Sequence, residues 1–269
     1  MPINQANDPK TGERVLATVQ DKVVQDVTGE EGTGIWSNEQ AVTTHIPAPT
    51  LTVAHYFRLA SADRRQRRKA QEAMGGDFPF QKMEVKDKDT FIEDLRLAVF
   101  ASCLASFIQG LNIIDRANRE HHWNINFNEI LQIWSGGCII QADYIKSLLQ
   151  PVFKDFESKK TINLLMESHI MKEIKKSKPS LQRIVGQAIQ TDHVVPAMSA
   201  TLEYIKYQTS LGKSILTAST TMLLTCPDLP TSFYEAQLDF FGNHMYDRKD
   251  DDQDEAPVEG KYSFEWKKA

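Results

Sequence analysis

The chain has 269 residues, of which 41% are hydrophobic, enough to bury a sizeable core in one large domain or two small ones. Its 31 basic and 36 acidic residues leave a formal net charge of −5, which argues against a general nucleic-acid binder. No apolar stretch approaches the ~20 residues a bilayer crossing requires, and residues 1–14 are polar, without the apolar core of a signal peptide. Cys103, Cys138 and Cys226 are too few and too scattered for a disulfide framework. Together these features predict a cytoplasmic globular protein with reduced thiols, no membrane segment and no nucleic-acid partner.

In chain order, residues 1–34 read as loops around one short helix near 15–27, with turns at Thr11-Gly12, Gly29 and Gly32-Thr33-Gly34. Residues 36–47 are mixed, and Pro47 and Pro49 break whatever precedes them. Residues 51–71 favour helix and end in a basic run, Arg64, Arg65, Arg67, Arg68 and Lys69, best read as a solvated face. Gly75-Gly76 and Pro79 form a loop. The strongest helical signal follows. Thr90 and Glu93 have capping-box spacing, and an apolar stripe through Phe91, Leu95, Val99, Leu104, Phe107, Ile108, Leu111 and Ile114 widens until it is nearly all-round, as in a helix inside a bundle. A second capping box, Asn126 to Glu129, opens a short helix that Gly136-Gly137 breaks, and an apolar path resumes from Cys138 to Leu148. Further helices are predicted at about 162–176, 180–191, 197–208, 211–223 and 232–241, punctuated by Pro179, Pro196, Pro227 and Pro230. No alternating strand or internal repeat is evident, so the fold class is all-α.

Residues 248–259 are polar and acidic (Asp250, Asp251, Asp252, Asp254, Glu255), and the aromatics Tyr262, Phe264 and Trp266 follow. The division is therefore a helical domain at 1–247 and an acidic linker with an aromatic tail at 248–269. Composition leaves a docking tail and a loose terminus equally open.

Local chemistry is sparse. His121 and His122 are adjacent and would face different ways on a helix, and His45, His55, His169 and His193 are isolated, so all read as ordinary surface or core histidines rather than metal ligands. No phosphate-loop, nucleophile-elbow or zinc motif is present. The N–H groups of Gly32-Thr33-Gly34 could nest an anion, but so short a triplet is common in loops.

Three segments together go further. Glu31-Gly32-Thr33-Gly34-Ile35-Trp36, Ile133-Trp134-Ser135-Gly136-Gly137-Cys138-Ile139-Ile140, and Ala236-Gln237-Leu238-Asp239-Phe240-Phe241-Gly242-Asn243-His244 resemble signature segments of 6-phosphogluconate dehydrogenase, in that family's order and near its spacing. Residues 91–123 resemble the long central helix of its C-terminal domain, and 260–266 resemble its tail, which passes into the partner subunit. The resemblance runs from about Asp8 onward and implies the family's all-α C-terminal domain. It also implies NADP-dependent oxidation and decarboxylation of 6-phosphogluconate to ribulose 5-phosphate, in the pentose phosphate pathway.

The NADP-binding Rossmann domain and the helix bearing the family's catalytic lysine and glutamate have no counterpart in this sequence, so no catalytic or cofactor-binding residue is assigned. The implied substrate-binding residues are Thr33, Arg58 and His244, with Arg58 suited to a bidentate phosphate contact. Two family cations are replaced: Glu31 stands at a lysine position and Leu238 at an arginine position. Gln141 departs as well, where an arginine usually follows Cys-Ile-Ile. Each charge-assisted hydrogen bond contributes roughly 1.5–3 kcal/mol, so losing two cations would cost about two to four decades of affinity, and Glu31 would also repel the phosphate.

Two functions are therefore expected: a family member represented by its substrate-binding and dimerisation domain, inactive alone, or a non-catalytic dimerisation or interaction module with a decayed phosphate site. The implied partners are a second copy or a full-length paralogue, and 6-phosphogluconate if the site survives. A pocket turned to another ligand, with Glu31 facing Arg58, ranks below an empty cleft.

Overall fold

The computed structural model describes residues 6–19, 21, 23, 32–76, 81–154, 163–210, 245–247 and 260–264. Its helices are α1 (Val15–Thr18), α2 (Thr33–Thr43), α3 (Pro49–Ala62), α4 (Arg64–Ala73), α5 (Lys88–His121), α6 (Phe127–Trp134), α7 (Asp143–Lys154), α8 (Ser168–Gln190) and α9 (Pro196–Gln208), with a 3-10 turn at Leu164–Met166. Among the described residues the only β pairings are isolated bridges, Asn7 with Arg14 and Tyr246 with Tyr262. The all-α class read from the sequence holds. The chain divides into two compact units, 1–204 and 205–269. The predicted helices at 211–223 and 232–241 lie outside the described residues, as do residues 20, 22 and 24–27 of that at 15–27, where the described helix is the short α1, Val15–Thr18.

In the first unit α5 is the axis. Ala98, Ala101, Leu104, Ala105, Ile108 and Leu111 are buried along it, and it packs chiefly along α8 and secondarily on α3 and α2. It also corrects the expectation that no stretch is long and apolar enough for a membrane: by length and composition α5 qualifies, with a best window of mean hydropathy 1.9. Its buried positions are those of a core helix. The apolar surface is not buried all round, however, since Ile92, Leu95, Val99 and Cys103 remain exposed.

Several ends differ from the sequence reading. The N-cap of α5 is Asp87, whose carboxylate accepts from the Asp89 and Thr90 N–H groups, rather than Thr90. The Asn126 cap of α6 forms as expected, accepting from the Asn128 and Glu129 N–H groups. Residues 51–71 are not one helix: Asp63 has non-helical backbone and caps α4 by accepting from the Gln66 N–H. Pro179 does not divide 162–191 into two helices but lies inside α8. The reason is tertiary. Ile170, Ile174, Ser177, Leu181, Ile184 and Ala188 form one buried stripe through Pro179, and burying it on α5 outweighs the lost N–H.

One buried polar node ties three helices. Gln109 of α5 is wholly buried, and its Oε1 accepts from the Thr50 N–H at 3.1 Å and, more distantly, from the Leu51 N–H. The N-cap of α3 is Ala48, which has no capping side chain, so Gln109 caps α3 from another helix. Gln109 Nε2 donates to Thr50 Oγ1 at 3.0 Å. Thr201 Oγ1 spends its hydrogen on the Ala197 carbonyl, so Thr50 donates to Thr201 across their 3.0 Å contact. Every polar atom in this relay has a partner.

In the second unit Tyr246 and Tyr262 exchange backbone hydrogen bonds of 2.7 and 2.9 Å. The start of the aromatic tail thus pairs with the segment preceding the acidic run. A Cβ at Gly260 would meet the Met245 carbonyl carbon, so only glycine fits beside Met245.

Two predictions follow from this packing. Gln109→Leu keeps the volume but takes the acceptor from the Thr50 and Leu51 N–H groups and one donor from the Thr50 hydroxyl; chemical denaturation of the full chain should show a loss of about 2–4 kcal/mol, and a change below about 0.5 kcal/mol would contradict the node. Second, the Arg183 guanidinium, assisted by the Ser180 hydroxyl, holds the Asp94 carboxyl down to about 2 from its ordinary 3.8, tying α5 to α8. A carboxylate whose folded value is depressed contributes stability above its unfolded value and loses it as pH falls. Stability measured between pH 4 and 2 should therefore drop, with a shallower slope in Asp94→Asn.

Candidate functional site

The site is built at the start of α2. Gly32 is the N-cap and has no side chain to offer, so the first-turn N–H groups carry no side-chain cap. An uncapped helix start presents N–H groups and a partial positive charge to an anion. Thr33, the first helical residue, adds an exposed hydroxyl. The triplet read as a loop nest is therefore the cap and first turn of a helix that the sequence reading, which left 36–47 mixed, did not find. Trp36 lies back over Gly32, where an added Cβ would stand 2.9 Å from the indole.

α3 supplies the second half. Gly34 rests on the ring of His55, and a Cβ there would stand 2.6 Å from His55 Cδ2. Asn38 joins the two helices: its Nδ2 lies 2.8 Å from the Gly34 carbonyl and 2.8 Å from His55 Nδ1. Arg58 is three residues beyond His55, hence on the same side of α3, and exposed. Thr33 thus begins the helix whose Gly34 touches His55, and Arg58 lies about one helical turn along α3 from His55. Glu31, Leu238 and His244 lie outside the described residues. His55, dismissed in the sequence as an isolated histidine, is the buried contact that holds this site together; seventeen residues separate it from Asn38, and no periodic pattern announces the pair.

The basic run behaves as read. Helix α4 buries none of its residues, and Arg64 and Arg67 bind the Asp21 carboxylate at 3.1 and 2.7 Å, with Arg67 holding that carboxyl below its usual range. Two further histidines have hydrogen-bond partners: His169 meets the Leu148 carbonyl, and His193 meets Thr191. Among the described residues no cluster of His, Cys, Asp and Glu could hold a metal. No strand-turn-helix unit is formed among them either.

These features define the class: an all-α domain around one long central helix, with an uncapped helix start at Thr33 that rests on α3. Comparison with known proteins gives the family. The profile described as 6-phosphogluconate dehydrogenase, C-terminal domain, matches residues 1–266. The chain is similar to the decarboxylating 6-phosphogluconate dehydrogenase of Emericella nidulans, with 39% identity over 95% of this chain and 48% of the relative. It is also similar to the NADP(+)-dependent enzyme of Bacillus subtilis, with 29% identity over 97% and 49%. Among solved structures, that of Plasmodium falciparum 6-phosphogluconate dehydrogenase, described in its apo form and with NADP+ and with 6-phosphogluconate, superposes with a TM-score of 0.76 at 29% identity, covering 96% of this chain and 49% of that one. The chain belongs to the 6-phosphogluconate dehydrogenase family and corresponds to its C-terminal domain. It spans about half the length of the curated relatives it matches.

The contact between Gly34 and His55 can be tested directly. Gly34→Ala forces a Cβ into a ring that is buried and hydrogen-bonded, so thermal unfolding should report a loss of about 1–3 kcal/mol. An unchanged midpoint would mean that α2 does not rest on α3 as described.

Proposed function

We propose that this chain is the substrate-binding and dimerisation half of a 6-phosphogluconate dehydrogenase, unable to turn over alone. The observation that carries this is the family match over residues 1–266; it is supported by Thr33, at the uncapped start of α2, and Arg58 on α3, which stand where the resemblance puts the family's phosphate ligands. In this reading His244 completes the site from a partner subunit, 6-phosphogluconate is the ligand, and the protein is cytoplasmic. NADP would be held by residues other than these 269, on the same polypeptide or another. The apolar stripe Ile92, Leu95, Val99 and Cys103, exposed along α5, is the surface a second copy would cover.

A second reading is a non-catalytic interaction module. The replacements at Glu31 and Leu238 favour it, since they remove two cations from the phosphate site while the apolar face of α5 persists.

The two readings part in a reconstitution. The chain should not reduce NADP with 6-phosphogluconate, but should do so when mixed with a separately expressed N-terminal half of a relative, and Arg58→Ala should lower that rate about tenfold or more. A mixture that assembles yet reduces no NADP would overturn the enzymatic reading. Sedimentation should show a dimer that Val99→Asp converts to monomer; a monomeric wild-type chain contradicts both readings.

A further inference from the structure

The amide orientation of Asn38 can be deduced from its neighbours. A carbonyl oxygen only accepts, so the side-chain atom 2.8 Å from the Gly34 oxygen is the amide nitrogen. One of its hydrogens goes to Gly34. The other is directed at His55 Nδ1, 2.8 Å away, which must offer a lone pair. In this contact His55 is therefore the Nε2–H tautomer. The ring is 6% exposed, and its Cδ2–Nε2 edge lies against Gly34. Asn38 Oδ1, by contrast, is buried and makes no hydrogen bond among the described residues. The amide is thus set by its nitrogen at the expense of its oxygen.

An apolar pair of the same shape would pack α2 on α3 without that orphaned oxygen, and would cost less. What the polar pair adds is direction. We propose that the Asn38–His55 hydrogen bond positions the anion site: by fixing the tautomer and tilt of His55, it sets where the first turn of α2, and with it the Thr33 N–H and hydroxyl, stands relative to Arg58. Asn38 and His55 are positioning residues in this account, acting through Gly34. The inference rests on the reading of Thr33 and Arg58 as an anion site.

The test uses the full chain and the variants Asn38→Ala, His55→Leu and His55→Asn; the last keeps an acceptor oxygen close to where Nδ1 stands. Imidazole nitrogen shifts at mildly alkaline pH should show Nδ1 unprotonated and Nε2 protonated. Asn38→Ala and His55→Leu should shift the Thr33 and Gly34 amide resonances and weaken binding of 6-phosphogluconate and of inorganic phosphate about three- to tenfold. His55→Asn should restore binding to within about twofold. Purely structural residues would alter the unfolding midpoint without this rescue. If His55→Leu fails to fold, Asn38→Ala, which truncates a half-buried side chain, decides alone. A protonated Nδ1, or unmoved amides with unchanged affinity in folded variants, overturns the proposal. If the wild-type chain binds neither ligand, the anion-site reading falls, while the tautomer and amide shifts still decide whether Asn38 and His55 set the turn.

Discussion

The first unit depends on Gln109. A helix that starts inside a protein has N–H groups that neither water nor its own backbone satisfies. α3 starts at Pro49 behind an alanine, so it carries no cap of its own. Gln109 supplies that cap from the middle of α5, and the Thr50–Thr201 hydroxyl pair extends the same relay to α9. Because α3 carries both His55 and Arg58, a single amide on the central helix fixes the helix on which the site is built.

The site itself is held more lightly. Only Ala41 of α2 is buried, and the helix is placed by the Gly34–His55 contact, the Asn38 bridge and a small cluster of Ala41, Ala48 and Ile113 with Ile46 and Leu51 around it. Scaffold and site thus draw on different interactions: α5 and α8 on a continuous apolar seam, α2 on a few polar contacts and one close approach. Such a division lets side chains at the start of α2 change without disturbing the seam.

What was legible in the sequence follows the same division. The seam could be read, because apolar spacing over 34 residues has one physical solution, and the Asn126 cap could be read because its side-chain oxygen has local partners. Asp87 rather than Thr90 is the cap because its carboxylate reaches the Asp89 and Thr90 N–H groups, which starts the helix before the capping box. Pro179 was misread because a local rule met a tertiary reward, the stripe from Ile170 to Ala188 that only an unbroken helix can bury. α2 was missed because so little of it faces the core. Thr33 and Arg58 were named from resemblance rather than from spacing, and the pair that joins their helices, Asn38 and His55, has no sequence signature at all.

If Thr33 and Arg58 form the proposed anion site, the chain recognises a phosphorylated sugar acid. The most direct measurement is a calorimetric titration of the purified chain with 6-phosphogluconate, set against gluconate, which lacks the phosphate. Saturable binding of 6-phosphogluconate at least about tenfold tighter than that of gluconate is the result expected from one bidentate arginine and a helix start. Equal affinity for both, or no binding of 6-phosphogluconate at millimolar concentration, would contradict it.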